Sequence, residues 1–215
     1  MNIIQRMILA MGTVFLMGTA TTANAIPFDI TSVSFTPGSG YGIDANEKFG
    51  TLLDVRFATN NTFTPQSFDL NSVGQFLTFN FGTVNFQEPN SHSGITANEI
   101  DNLGVMASFT FTNPLGITEN IFATGTAVTG AVSDAFVDYT LTWNPITVAF
   151  GSGGLFEIAL NNLSFSNMGS QIQTATITLK SLPTTGAAVP EPDAFALFGI
   201  GLLGFMLSRR KLAKK

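Results

Sequence analysis

Residues 105–112 read Val105-Met106-Ala107-Ser108-Phe109-Thr110-Phe111-Thr112, and apolar and polar side chains alternate along them. Successive side chains of a β-strand point to opposite faces, so this period of two predicts a strand with one buried face. The same alternation recurs at residues 77–81, 137–143 and 174–179. Further strands are expected at residues 28–35, 51–59, 119–128 and 155–165.

Turn-forming residues separate these segments. Glycine, proline and asparagine cluster at residues 37–40, 60–61, 88–90, 113–116, 151–154 and 161–162. Such residues favour tight turns and interrupt regular structure. The segments between them have no helical period of 3.6, and no longer internal repeat is present. The sequence therefore predicts an all-β fold, an antiparallel β-sandwich of Greek-key or jelly-roll type.

One domain is expected, at residues 26–182, and then a short linker at residues 183–188. A chain of about 150 residues can bury about 70% of its unfolded surface, which is enough for one core. The chain has 21 phenylalanines and no cysteine. Stability must therefore come from an aromatic core rather than from disulfides.

The body of the chain is acidic. Residues 26–188 contain twelve Asp and Glu residues against Lys48, Arg56 and Lys180, which gives a net charge of −9. A surface with so few cations has no electrostatic footprint for a phosphate backbone or an anionic lipid. Nucleic acid is therefore excluded as a partner.

The N-terminus has the features of a signal peptide, predicted at residues 1–25. Arg6 supplies a positive charge, residues 7–17 are apolar apart from Thr13, and Ala23-Asn24-Ala25 places small residues where signal peptidase reads. Cleavage after Ala25 would make Ile26 the new N-terminus. A membrane helix is the alternative, but the apolar stretch is short and leads directly to a cleavage site.

The C-terminus, residues 189–215, has three parts in a fixed order. They are Val189-Pro190-Glu191-Pro192, an apolar run at 194–207, and the basic residues Arg209, Arg210 and Lys211. The prolines hold the first part extended, and the basic end keeps the last residues in the cytoplasm. A helix over the apolar run would be about 21 Å long, short of a hydrocarbon core of about 30 Å. A short apolar helix that acts as a transient stop is therefore favoured over a permanent anchor.

This tail resembles the PEP-CTERM sorting signal of Gram-negative bacteria. The resemblance implies that an exosortase-type membrane protease recognises Pro190-Glu191-Pro192 and removes the residues beyond it. It also implies a precursor held transiently in the inner membrane, a mature protein at the outer surface or outside the cell, and a role where exopolysaccharide and biofilm are made. It covers the tail alone and implies a destination rather than an activity.

Catalytic residues are not expected. His92 is the only histidine, and it lies in a polar, turn-forming stretch. Asp134 with Asp138, or Glu99 with Asp101, could act as the two carboxylates of a glycan hydrolase, but an acidic chain contains such pairs by chance. We therefore expect no enzyme and no catalytic or cofactor-binding residue.

Calcium is the one cofactor that the sequence permits, although no metal ligand is assigned. Residues 44–47 and 98–102 each place several side-chain oxygens in one loop, without the spacing of an EF-hand. Trp143 could stack on a sugar, but its alternation with Leu141 predicts a core residue. Thr174, Thr176 and Thr178 resemble one row of an ice-binding threonine array.

The sequence thus favours an exported structural or adhesive protein of the exopolysaccharide matrix. A carbohydrate-binding or ice-binding module is the alternative, and a glycan hydrolase is the third hypothesis. Signal peptidase, an exosortase-type protease and exopolysaccharide are the expected partners.

Overall fold

The computed structural model of the protein describes residues 25–44, 50–59, 62–90, 94–134 and 136–184. These ranges contain strands and no helix. The strands are β1 (Ile26–Pro37), β2 (Val55–Ala58), β3 (Gln66–Leu70), β4 (Phe76–Phe86), β5 (Gly104–Asn113), β6 (Thr118–Ala127), β7 (Tyr139–Trp143), β8 (Ile146–Phe150), β9 (Gly154–Leu160), β10 (Leu163–Phe165) and β11 (Gly169–Ser181). The predicted all-β class is confirmed.

The strands form two curled antiparallel sheets. The six-stranded sheet has the order β10-β7-β6-β5-β1-β3, and the five-stranded sheet has the order β2-β4-β11-β9-β8. Strands β5, β6 and β7 are consecutive neighbours, whereas β1 pairs with β5 across three intervening strands of the chain. The Greek-key or jelly-roll type stays a prediction.

Residues 105–112 form a strand with one buried face, as predicted. Val105, Ala107, Phe109 and Phe111 are buried in β5, while the residues between them are more exposed. The patterns at 77–81 and 174–179 are likewise confirmed, since Phe79, Phe81, Ala175, Ile177 and Leu179 are all buried.

One predicted strand is split and two begin later than expected, while the ends of the other strands differ from the predicted ones by one to five residues. The segment 155–165 forms two strands, β9 and β10, because Asn161 interrupts the ladder and its side chain bonds to Gln173 and Thr174 of β11. The strand expected at 51–59 is shorter, at Val55–Ala58, because residues 51 and 52 bond to the side chain of Asp44 instead. Strand β7 begins at Tyr139, not at Val137.

Aromatic rings from both sheets fill the space between them. The rings of Phe81 in β4 and Phe109 in β5 lie 5.0 Å apart, and those of Phe28 in β1 and Phe156 in β9 lie 5.2 Å apart. Each pair connects a strand of one sheet to a strand of the other through an edge-to-face contact, which is a favourable arrangement of aromatic quadrupoles. The core therefore lies between the sheets and is shared by them.

Two polar contacts also lie in this interior. Trp143 is 4% exposed, and its Nε1 donates to Oε1 of Gln173 in the opposite sheet at 3.0 Å. The prediction of Trp143 as a core residue is confirmed. The hydroxyl of Tyr139 lies 2.8 Å from that of Tyr41, which donates to the carbonyl of Leu103 at 2.7 Å.

The predicted terminal signals lie almost entirely outside the described residues. Of the signal-peptidase site only Ala25 is described, exposed and just before β1. The predicted C-terminal apolar helix and linker residues 185–188 are also outside. Within the described part of the chain, no helix has the length and apolar character to span a membrane.

Candidate functional site

Small uncharged polar side chains line the outward side of the six-stranded sheet over β5, β6, β7 and residues 32–36 of β1, and we call this area the hydroxyl face. Its members are Ser32, Ser34, Thr36, Ser108, Thr110, Thr118, Asn120, Thr124, Thr126, Thr140 and Thr142. They lie at the positions that alternate with the inward positions of their strands, most of which hold apolar residues of the core. The outward positions of β5, β6 and β7 carry no charged residue.

Strand register places these side chains in rows across the sheet. Ser34 lies opposite Ser108, which lies opposite Asn120, and the Ser108 hydroxyl donates to Asn120 Oδ1 at 2.8 Å. In the next row the hydroxyls of Thr110 and Thr118 are 3.1 Å apart. A hydroxyl both donates and accepts, so each member retains hydrogen-bonding capacity toward a ligand.

Two apolar side chains lie at one end of this face. Met106 of β5 and Phe122 of β6 are opposite each other, and Thr36 of β1 lies opposite Met106 on the other side. Phe122 is 58% exposed, and with Met106 it lines an open groove of about 470 Å³, bordered by Ser39 and Asn102. The groove is open to solvent, and its lining combines one exposed aromatic ring with other apolar and polar groups.

The outward side of the five-stranded sheet is different in charge. Thr174, Thr176 and Thr178 do alternate on β11 as predicted, and Thr176 bonds to Thr78 of β4 at 2.8 Å. Beyond them Lys180 forms an ion pair with Glu157 at 3.0 Å. Charged side chains therefore lie at one end of the threonine row.

Three of the four carboxylates considered for hydrolysis bond to the backbone of their own loops. Asp138 is buried and accepts from the amide of Ser133 at 2.9 Å, while the exposed Asp134 accepts from the amide of Ala131 at 3.0 Å. In the other pair, Glu99 is buried and Asp101 is exposed. These contacts order the loops in which the acids lie. His92 lies outside the described residues.

The two loops considered for calcium meet in the structure. Asp44 Oδ2 accepts from the amides of Thr51 and Leu52 at 2.7 and 2.8 Å, which holds it beside Gly50. The carboxylate of Glu99, which belongs to the other loop, also lies beside Gly50. Residues 45–47 lie outside the described part. In the described ranges, no three His, Asp or Glu residues form a metal-binding group by themselves. No sequence pattern signals that residues 44 and 99 meet.

The sorting motif has an independent match. Residues 188–211 match the family described as the PEP-CTERM protein-sorting motif. This span includes Val189, Pro190, Glu191, Pro192 and the basic residues at 209–211, all outside the described residues. No curated protein and no solved structure matches the chain. The motif implies an exported protein that an exosortase processes at the membrane.

Proposed function

We propose that the mature protein is a β-sandwich that serves a structural or adhesive role in the exopolysaccharide matrix or biofilm, without catalytic activity. The hydroxyl face would contact the polysaccharide, and the groove at Phe122 would hold one stretch of it. The sorting motif supports delivery to the surface, because it implies export and processing. The outer surface or the extracellular space is the proposed destination.

The observation that carries this proposal is the chemistry of the hydroxyl face. A sugar chain presents hydroxyl groups together with apolar C–H surfaces. Side-chain hydroxyls can donate to or accept from each sugar hydroxyl, and the exposed ring of Phe122 offers apolar area beside them. Weak contacts repeated along a polymer add up through multivalency.

Charge narrows the class of polysaccharide. The body has a net charge of −9 across residues 26–188, and the outward positions of β5–β7 add no cation. An acidic polymer would be repelled by such a surface at low salt, whereas a neutral one would not. We therefore propose a neutral exopolysaccharide as the partner.

Binding can be tested with the full-length chain in mild detergent and the polysaccharide of the producing cells, by affinity electrophoresis. Phe122→Ser should weaken binding about tenfold, or ~1.4 kcal/mol, because the apolar contact is lost. Phe76→Ser is the matched control, since Phe76 is 62% exposed but lies on the other sheet. It should bind like the unaltered chain.

Two results would contradict the proposal. The first is that no neutral polysaccharide slows the migration of the unaltered chain. The second is that both phenylalanine variants lose binding to the same extent. The second result would mean that exposed aromatic rings adhere without regard to the face on which they lie.

Ice binding is the second candidate, favoured by threonine pairs in register. Thr124 lies opposite Thr142 and Thr126 opposite Thr140, which adds rows to the hydroxyl face. Thermal hysteresis, the gap between the melting and freezing temperatures of a solution that contains an ice crystal, distinguishes this function from polysaccharide binding. A measurable hysteresis gap that Thr124→Lys abolishes would favour ice as the ligand.

A further inference from the structure

Glu99 has an oxygen that the fold leaves unsatisfied. The residue is 0% exposed. Its Oε2 accepts a hydrogen bond from the amide of Thr96 at 2.6 Å, but Oε1 has no partner. Among the described residues, Oε1 is the only buried side-chain polar atom in this state. An unpaired buried carboxylate oxygen is costly, so its retention indicates a ligand.

The unpaired oxygen points into a space that it shares with Asp44. A Cβ atom placed on Gly50 would clash with Glu99 Oε1 and would lie 3.2 Å from Asp44 Oδ2. The two carboxylates therefore approach one point beside Gly50, where the missing side chain leaves room. Like charges this close repel each other, most strongly where water is excluded. A cation would remove this repulsion.

The described basic side chains are used elsewhere. Arg56 binds both carboxylate oxygens of Asp54, at 2.9 and 2.7 Å, and Lys180 pairs with Glu157. Lys48 lies outside the described residues. The buried carboxylate of Asp54 pairs with Arg56, and that of Asp138 accepts from a backbone amide. Among the described residues, an unpaired buried carboxylate oxygen is therefore particular to Glu99.

We propose that Asp44 and Glu99 bind a calcium ion beside Gly50. Calcium accepts about six to eight oxygens from carboxylates, backbone carbonyls and water, so two carboxylates suffice as the charged part of a site. Weak extracellular sites have a Kd of about 10⁻⁴–10⁻³ M, so calcium in the millimolar range would fill such a site. Binding would tie the loop after β1 to the loop before β5.

Thermal unfolding of the full-length chain in detergent tests the site. After EDTA treatment, about 5 mM CaCl₂ should raise Tm by about 2–8 °C, because a ligand that binds only the folded state stabilises it. Magnesium at the same concentration should give less than half this rise, since it demands tighter octahedral geometry. Absence of a calcium-dependent rise would overturn the proposal.

Variants assign the effect to the two carboxylates. Glu99→Gln should abolish the rise while leaving Tm in EDTA unchanged or higher, because the repulsion from Asp44 is removed. Asp134→Asn is the matched control: Asp134 also accepts from a backbone amide, and its variant should keep the full rise. Lys48→Gln should keep it too. A Glu99→Gln protein that still responds fully, or a lysine variant that loses the response, would refute the site.

Discussion

On their inner sides the two sheets carry the same kind of residue. Phe109 of the six-stranded sheet and Phe81 of the five-stranded sheet are both fully buried and touch across the core. On their outer sides they differ. Phe122 and the hydroxyl face lie on one, and the Lys180–Glu157 ion pair lies on the other.

The difference separates residues that hold the fold from residues that are free to act. Inner positions must be apolar on both sheets, because each sheet buries that side against the other. Outer positions contact water, so substitutions there change stability little and their chemistry can serve a ligand. The hydroxyl face, whose outward positions on β5–β7 carry no charge in an acidic protein, is therefore the more informative of the two.

The largest effect is expected from an inner position. Phe109→Ala should lower the free energy of unfolding by about 3–5 kcal/mol, because it removes a ring packed against Phe79 and Phe81 and leaves a cavity. Phe76→Ala, on an outer face, should cost about 0.5 kcal/mol or less. Urea unfolding of the two variants measures both values. Equal losses of unfolding free energy in the two variants would mean that inner positions do not contribute more to stability than outer positions.

An intermediate effect is expected from the tyrosine pair on the inner side. Burial raises the pKa of Tyr41 and of Tyr139 above the ordinary value of 10.0. Above about pH 10 the unfolded chain releases both protons while the folded chain keeps them, so stability is full below pH 10 and falls as the pH rises. The loss should approach about 1.4 kcal/mol per pH unit for each tyrosine as the pH rises well above 10.

Urea unfolding at pH 9, 10 and 11 measures this slope. Tyr139→Phe should remove about half of it, because Tyr41 is then the only tyrosine left to titrate. Persistence of the full slope in that variant would show that other groups cause the alkaline loss.

The smallest effect is expected from the ion pair on the outer side. The side chains of Lys180 and Glu157 are 42% and 30% exposed, and water weakens their attraction. Lys180→Met should cost about 0.2–1 kcal/mol, and less at high salt. A double-mutant cycle with Glu157→Gln isolates the pair. A coupling energy of several kcal/mol would mean that this face is held as firmly as the core.

Much of the fold could be predicted because alternation is a local property. The strand at 105–112 can be predicted from neighbouring residues alone, and so can the buried position of Trp143. Strands β3 and β8 are not predicted. Yet the larger apolar residues occupy every second position in both, at Phe68 and Leu70 in β3 and at Val148 and Phe150 in β8. Both segments are short and come directly after a proline, which resembles the end of a turn.

The candidate sites are harder to predict from the sequence than the strands are. The acids of residues 44–47 and 98–102 can be recognised as oxygen ligands, but only as two separate loops. The hydroxyl face is visible only as isolated threonines and serines between apolar residues. Its rows, such as Ser34 beside Ser108 beside Asn120, depend on which strands pair and in which register.

By itself the sequence determined the all-β class, the aromatic core, the acidic charge and the sorting motif, since each depends on composition or on residues adjacent in the chain. Only the tertiary structure decided that β1 pairs with β5, that Phe122 lies among hydroxyls, and that Glu99 meets Asp44 beside Gly50. The physical reason is distance along the chain. Residues far apart in sequence come together only when strand order and register are fixed, and burial of the shared core between the two sheets fixes them.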